Sequence, residues 1–152
     1  MDNAMCAVKK GGVVILFADC EEGSGSKVLE ETFRRLKTPK AIKCELEHDF
    51  RIGANKAFAI TRPLSKARYI LVTRLDKALA KDMLFTAAVD SFEEAYAAVL
   101  NPLCAELSMP QSALDILLFL ANNPGCETAG AICRMRGLKP AIVSFHIDRL
   151  VG

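Results

Sequence analysis

The strongest constraint on this chain is a change of class near residue 100. Before it, short β-rich apolar runs alternate with helical patterns. After it no strand pattern appears, and Pro102, Pro110, Pro124 and Pro140 cut the sequence into helical pieces expected at about 111–122, 127–136 and 140–150. Alternating strands and helices imply parallel strands joined by crossovers. The expected fold is therefore α/β, a small parallel sheet flanked by helices, followed by an all-α segment. Its domains are 1–91 and 92–152, with a boundary inside a helix at about 92–107 that both parts share.

Within the first part, Gly12 to Ala18 is a continuous apolar run closed by Asp19, which reads as a central strand buried on both faces. The glycine-bearing stretch Glu21 to Ser26 follows, and Val28, Leu29, Phe33 and Leu36 then recur at helical spacing until Pro39. A weaker segment holds Ile42 and Leu46. Ile52, Ala57, Ile60 and Leu64 predict another helix, Tyr69 to Thr73 a second buried strand, and Leu79 to Leu84 a short helix. Ser91 followed three residues later by Glu94 is a capping-box arrangement, opening a helix that turns Phe92, Ala95, Val99 and Leu103 inward.

Composition narrows the classes. With 51% apolar residues in 152, the chain can bury a sizeable core or two small ones. A formal charge of +2 does not by itself announce nucleic acid or membrane, so any basic patch is local. Six cysteines without CxxC pairs, and no signal-peptide layout, read as reduced thiols in a cytoplasm rather than as a disulfide framework or zinc ribbon. The longest apolar runs fall short of the roughly 20 residues a membrane helix needs, so no membrane partner is expected.

A glycine-rich turn between strand and helix can present N–H groups to an anion, and Gly23, Ser24, Gly25 and Ser26 occupy that position. Such turns also exist simply because the chain must reverse tightly. Lys56 could contact a carboxylate or phosphate, against the plainer reading of a solvated charge. His48, between Glu47 and Asp49, reads as an exposed histidine, and Cys20 beside the turn as a small buried hydrophobe or a thiol near the anion site.

The wider pattern is more specific than the turn. Ala7 to Leu16, Gly23 to Ser26, Ile52 to Ala57, Ile70 to Thr73 and Ser91 to Ala95 occur in the order and spacing of one family. Over residues 2–100 the chain resembles the C-terminal domain of LarA-type nickel-dependent lactate racemases. The resemblance implies a family chemistry in which a lysine-attached nickel-pincer nucleotide removes and returns hydride at a 2-hydroxy acid, with histidines as nickel ligand and acid/base groups. Those groups belong to family regions upstream of the match, as though Met1 corresponded to an internal methionine of a longer ancestor. Only His48 and His146 occur in the chain, and Asn55 stands where the family's Gly-Ala-His-Lys-Ala run has histidine. No catalytic residue, metal ligand or cofactor is therefore assigned.

In the second part, Leu114 to Ala121 is an apolar helix stopped by Asn122-Asn123-Pro124-Gly125. A helix from about Thr128 turns Ala129, Ile132 and Met135 inward. Gly137 supplies a turn, Leu138 anchors it, and Pro140 opens a helix with Val143, Ile147 and Leu150 facing the core. This is a helix-turn-helix layout, which ordinary α bundles also contain. All four basic residues after position 100, Arg134, Arg136, Lys139 and Arg149, cluster around the turn and last helix, where a phosphate backbone would run.

Tyr96 to Leu107, Leu114 to Pro124 and Gly137 to Leu150 resemble the first four helices of MarR-family winged-helix regulators over about residues 92–152. The resemblance implies DNA as partner, with Ala141, Ser144, Phe145 and His146 facing the major groove, Ser144 bonding phosphate or base, and Lys139 and Arg149 placed for phosphate. Phe145 departs from a position commonly basic in the family. Gly152 falls where the wing should begin, so the wing and terminal dimerisation helices are left out, and binding is expected to be weak and salt-dependent.

Three function classes stay open. The favoured one is a DNA-binding regulator whose α/β part is a non-catalytic module for sensing a small-molecule anion or for association, a homodimer included. The others are a fragment or partner of a racemase-family enzyme without its own active site, and a structural fusion.

Overall fold

A computed structural model describes residues 1–48 and 53–151. These divide into two compact units, Met1–Ala98 and Val99–Gly152, with the boundary inside a helix.

The first unit is a three-stranded parallel sheet flanked by helices. Strand β1 (Val13–Phe17) pairs with β2 (Arg68–Val72), and β2 with β3 (Ala87–Val89), in the order β1-β2-β3. The central strand is thus β2, with Tyr69, Ile70 and Leu71 buried, and not the Gly12–Ala18 run. β1 lies at one side of the sheet, half-buried, and ends on Phe17, 62% exposed. An apolar run reports what covers a strand's faces, not how many strands lie beside it. β3 was not expected, since three small residues carry no readable alternation.

Helix α1 (Asp2–Ala7) packs its flanking Met1 and Val8 on the core, and the Lys66 ammonium donates to the Met5 carbonyl. Helix α2 (Lys27–Arg35) buries Leu29, Thr32 and Phe33, whereas Val28 faces outward. Thr32 satisfies its hydroxyl by donating to the Val28 carbonyl at 2.7 Å. The weak segment after it is a helix, α3 (Pro39–His48), which Pro39 opens instead of ending α2's pattern. Thr38 Oγ1 accepts the Ala41 N–H at 3.2 Å, and a first-turn proline lacks only a donor that has no partner there anyway. One buried residue, Ile42, is too little for a helical stripe to show in sequence.

Helix α4 (Ala54–Lys66) buries Ala57, Thr61 and Pro63; the expected Ile52 lies outside the described residues. Helix α5 (Lys77–Asp82) is capped by Asp76 and buries Leu79 and Ala80. Helix α6 (Phe92–Glu106) buries Ala95 and Leu100, while Phe92 and Leu103 are exposed. Phe92 instead stacks on Phe17 at 6.2 Å and on Tyr96 at 5.8 Å, an aromatic contact that a helical wheel cannot see. Ser91 Oγ accepts the Glu94 N–H at 3.2 Å, but the Glu94 carboxylate returns to the N–H of Asp90, one residue upstream of the capping-box partner.

In the second unit α7 (Gln111–Asn122), α8 (Ala129–Arg136) and α9 (Pro140–Val151) close on Ile116, Phe119, Ile132 and Val143. Each such side chain contributes roughly 1.5–3 kcal/mol when fully buried. Thr128 caps α8, and Gly137 ends it in the left-handed region at φ 65°. Ala131 and Ile132 are the buried pair of α8, so Ala129 and Met135 lie outside, contrary to the wheel; Leu150, too, is largely exposed. Among the described residues all six cysteines are free thiols, and no single helix is long and apolar enough to cross a membrane.

Candidate functional site

In the first unit the carboxyl ends of the strands deliver a set of charged side chains that the sequence did not single out. An open hollow of about 330 Å³ lies there, between Phe17, Asp19, Thr73, Arg74 and Asp90. Parallel sheets bind ligands outside these strand ends, because loops of different strands converge there. The Asp19 carbonyl accepts from the Arg74 N–H at 3.0 Å and from Thr73 Oγ1 at 2.9 Å, locking the two loops together.

Arg74 then grips the Asp19 carboxylate side-on, through two N–H groups of one guanidinium edge, Nε lying 2.5 Å from Oδ1 and a terminal nitrogen on Oδ2. Glu21 takes a further share of the same guanidinium at 3.3 Å. The hydrogen bond from Arg74 holds the Asp19 carboxyl below its ordinary pKa, and the same bond raises Arg74. Lys77 pairs with Asp90 nearby, and that hydrogen bond raises the lysine. The signal was present in the sequence as polar residues directly after strands, Asp19 and Arg74, but nothing there shows which loops meet.

The glycine-rich turn is placed as expected but is internally satisfied. Ser26 Oγ accepts the Leu29 N–H at 3.3 Å and so caps α2, while Ser24 Oγ donates to Glu30 at 2.7 Å. Gly23 and Gly25 both have φ near +75°, at 80° and 71°, which only glycine adopts freely. Gly53 brings the start of α4 against this turn: a Cβ there would lie 3.3 Å from Ser26 Oγ and 3.3 Å from Val28 Cβ. Asn55 Oδ1, inside the first turn of α4, accepts from the N–H of Gly53 at 3.1 Å and of Lys56 at 3.0 Å, while the N-cap position is Gly53. Lys56 stands exposed in the same turn, and Cys20 is half-buried with its carbonyl accepting the Gly23 N–H. The structure therefore gathers Ser24, Ser26, Gly53 and Asn55.

In the second unit Lys139, Ala141, Ser144 and Phe145 lie exposed on α9 and its approach. His146 does not join them. It is 7% exposed and its Nε2 lies 2.6 Å from Ser112 Oγ, so it packs inward as a satisfied buried histidine. Arg149 sits over the Phe145 ring at 5.6 Å, and Arg136 pairs with Asp115 at 2.8 Å. His48, in the first unit, is exposed, with Nδ1 on the Cys44 carbonyl at 2.8 Å.

The family profile described as the lactate racemase C-terminal domain matches residues 1–108. The chain belongs to this family. Among solved structures, the lactate racemase apoprotein from Thermoanaerobacterium thermosaccharolyticum aligns with a TM-score of 0.60 at 24% identity, over 66% of this chain and 25% of that one. That likeness is one of fold, and the chain spans about a quarter of the solved protein's length. No curated protein matches the chain. Among the described residues no three His, Cys, Asp or Glu side chains group as metal ligands, and the two histidines lie in different units.

Proposed function

We propose that this chain is a racemase-family module that recognises a small anion and contributes no acid–base chemistry of its own, acting as part or partner of a larger assembly. The observation that carries this is the strand-end hollow: its charged groups are tied in the pairs Arg74–Asp19 and Lys77–Asp90. A carboxylate held ionised by a bidentate arginine is a structural strut, not a group poised to exchange protons near neutral pH.

Anion recognition falls to Gly23, Ser24, Gly25 and Ser26 with Lys56. Two helix N-termini approach each other there, the bare Gly53 packing directly on Ser26 and Val28. An incoming anion must displace Glu30 from Ser24, so the affinity is expected to be modest. Titrating the full chain with phosphate and with lactate, followed through backbone amide shifts, tests this. Shifts concentrated at residues 23–26 and 53–56 support the reading, and shifts absent or scattered elsewhere defeat it.

A second reading gives residues 99–152 a DNA-binding role of the MarR type. It is favoured by the left-handed Gly137 turn between α8 and α9, with Lys139, Ala141, Ser144, Phe145 and Arg149 on the exposed side. Arg134 adds charge, but the exposed apolar Met135, Ile142 and Phe145 would not be replaced by phosphate contacts. Duplex binding that weakens with salt and falls when Lys139 and Arg149 are both changed to alanine supports it; no binding at low salt defeats it.

A further inference from the structure

We propose that the helical unit holds a binding site for a small carboxylate with an apolar body, independent of the anion site in the first unit. A hollow of about 190 Å³ opens among Leu107, Met109, Ala113, Leu150, His146 and Arg149. Its volume lies below the roughly 300 Å³ at which drug-sized pockets begin, and corresponds to about six water volumes at ~30 Å³ each. The occupant is therefore small, about the size of a branched short-chain carboxylate.

The chemistry of the lining selects the class. Leu107, Met109, Ala113 and Leu150 supply apolar walls, and no acidic residue lines the hollow. Arg149 is the one lining side chain that always carries charge. Its guanidinium rests over the Phe145 ring at 5.6 Å, which limits its freedom. The His146 ring is fixed by its 2.6 Å contact with Ser112, so the inner wall is set before any ligand arrives. On the rim Ser108, at φ 51°, is the left-handed residue that ends α6, with its N–H on the Ala105 carbonyl and the Met109 N–H on the Cys104 carbonyl.

A hollow with one arginine and several apolar side chains on its wall binds a carboxylate by a charge-assisted contact and meets its hydrocarbon end with the leucine, methionine and alanine side chains. A neutral amide of the same shape fills the hollow but forfeits the charge.

The test titrates the full chain with isovalerate and with isovaleramide, reading amide shifts of Leu107, Met109 and Arg149. Isovalerate is expected to bind about tenfold or more tightly than the amide, and Arg149→Met to remove that preference. Equal binding of acid and amide, an unchanged preference in Arg149→Met, or no shift with isovalerate overturns the proposal. The acid–amide comparison is made on the unaltered chain and so decides even if the variant folds poorly.

Discussion

Arg74 and Asp19 lie on adjacent strand-end loops and meet side-on through one edge of the guanidinium, with Nε 2.5 Å from Oδ1 and a second nitrogen on Oδ2. The same two residues are joined through their backbones, Arg74 N–H to Asp19 carbonyl at 3.0 Å. The pair thus fixes the floor of the hollow. Its side chains are solvent-exposed, so its role is geometry more than stability.

That pairing sets a pH signature. Asp19 is held below its ordinary carboxylate value, so whatever the pair contributes is present above about pH 4 and is lost as pH falls through the lowered pKa. Carboxyl-carbon NMR of Asp19 should show the depressed titration in the wild type and a return to the ordinary value in Arg74→Ala. An unchanged midpoint in the variant would contradict the assignment.

Gly53→Ala should destabilise the first unit by about 1–3 kcal/mol. The residue holds φ 103°, and the added methyl meets Ser26 and Val28 at 3.3 Å, so strain and contact act together. Urea unfolding of the full chain measures the loss, and a change within a few tenths of a kcal/mol would mean that the turn relaxes freely.

Gly137→Ala should cost about 1–2 kcal/mol through the left-handed backbone alone, since a Cβ there meets nothing within 4 Å. Gly137→Asn should recover part of that cost because asparagine tolerates this conformation. The ordering of the three melting temperatures checks the claim.

Ser112→Ala leaves the buried Nε2 of His146 without its 2.6 Å partner and should destabilise the helical unit by about 1–3 kcal/mol. A His146→Leu, Ser112→Ala double variant should recover much of that, because an apolar pair of similar volume leaves nothing unsatisfied. If the double variant is worse than the single by the full cost of both, the histidine does something other than pack.

What the sequence disclosed and withheld has a physical pattern. β2 and α7 were readable because Tyr69–Val72 and Leu114–Ala121 concentrate apolar residues over most of an element. α1, α3 and β3 escaped because they bury few residues of their own. The Gly12–Ala18 run was taken for the central strand because β1 and β2 look alike as apolar runs, and only pairing distinguishes them. The Gly23–Ser26 turn was legible from its glycines, yet its partner Glu30 was not, since the bond spans six residues around a helix start. The strand-end charges were unreadable as a group, because Asp19 and Arg74 are 55 residues apart. His146 was placed on the outer face by the MarR resemblance, where the hydroxyl of Ser112, on another helix, holds it inward.

The central claim is that this racemase-family chain performs no racemisation alone, and one measurement addresses it directly. The chain is expressed in a racemase-deleted bacterium that still makes the racemase cofactor, and the interconversion of D- and L-lactate is followed by chiral chromatography. No conversion above an empty-vector control is predicted, with activity returning when the host's intact racemase is restored. Conversion driven by this chain alone would contradict the account.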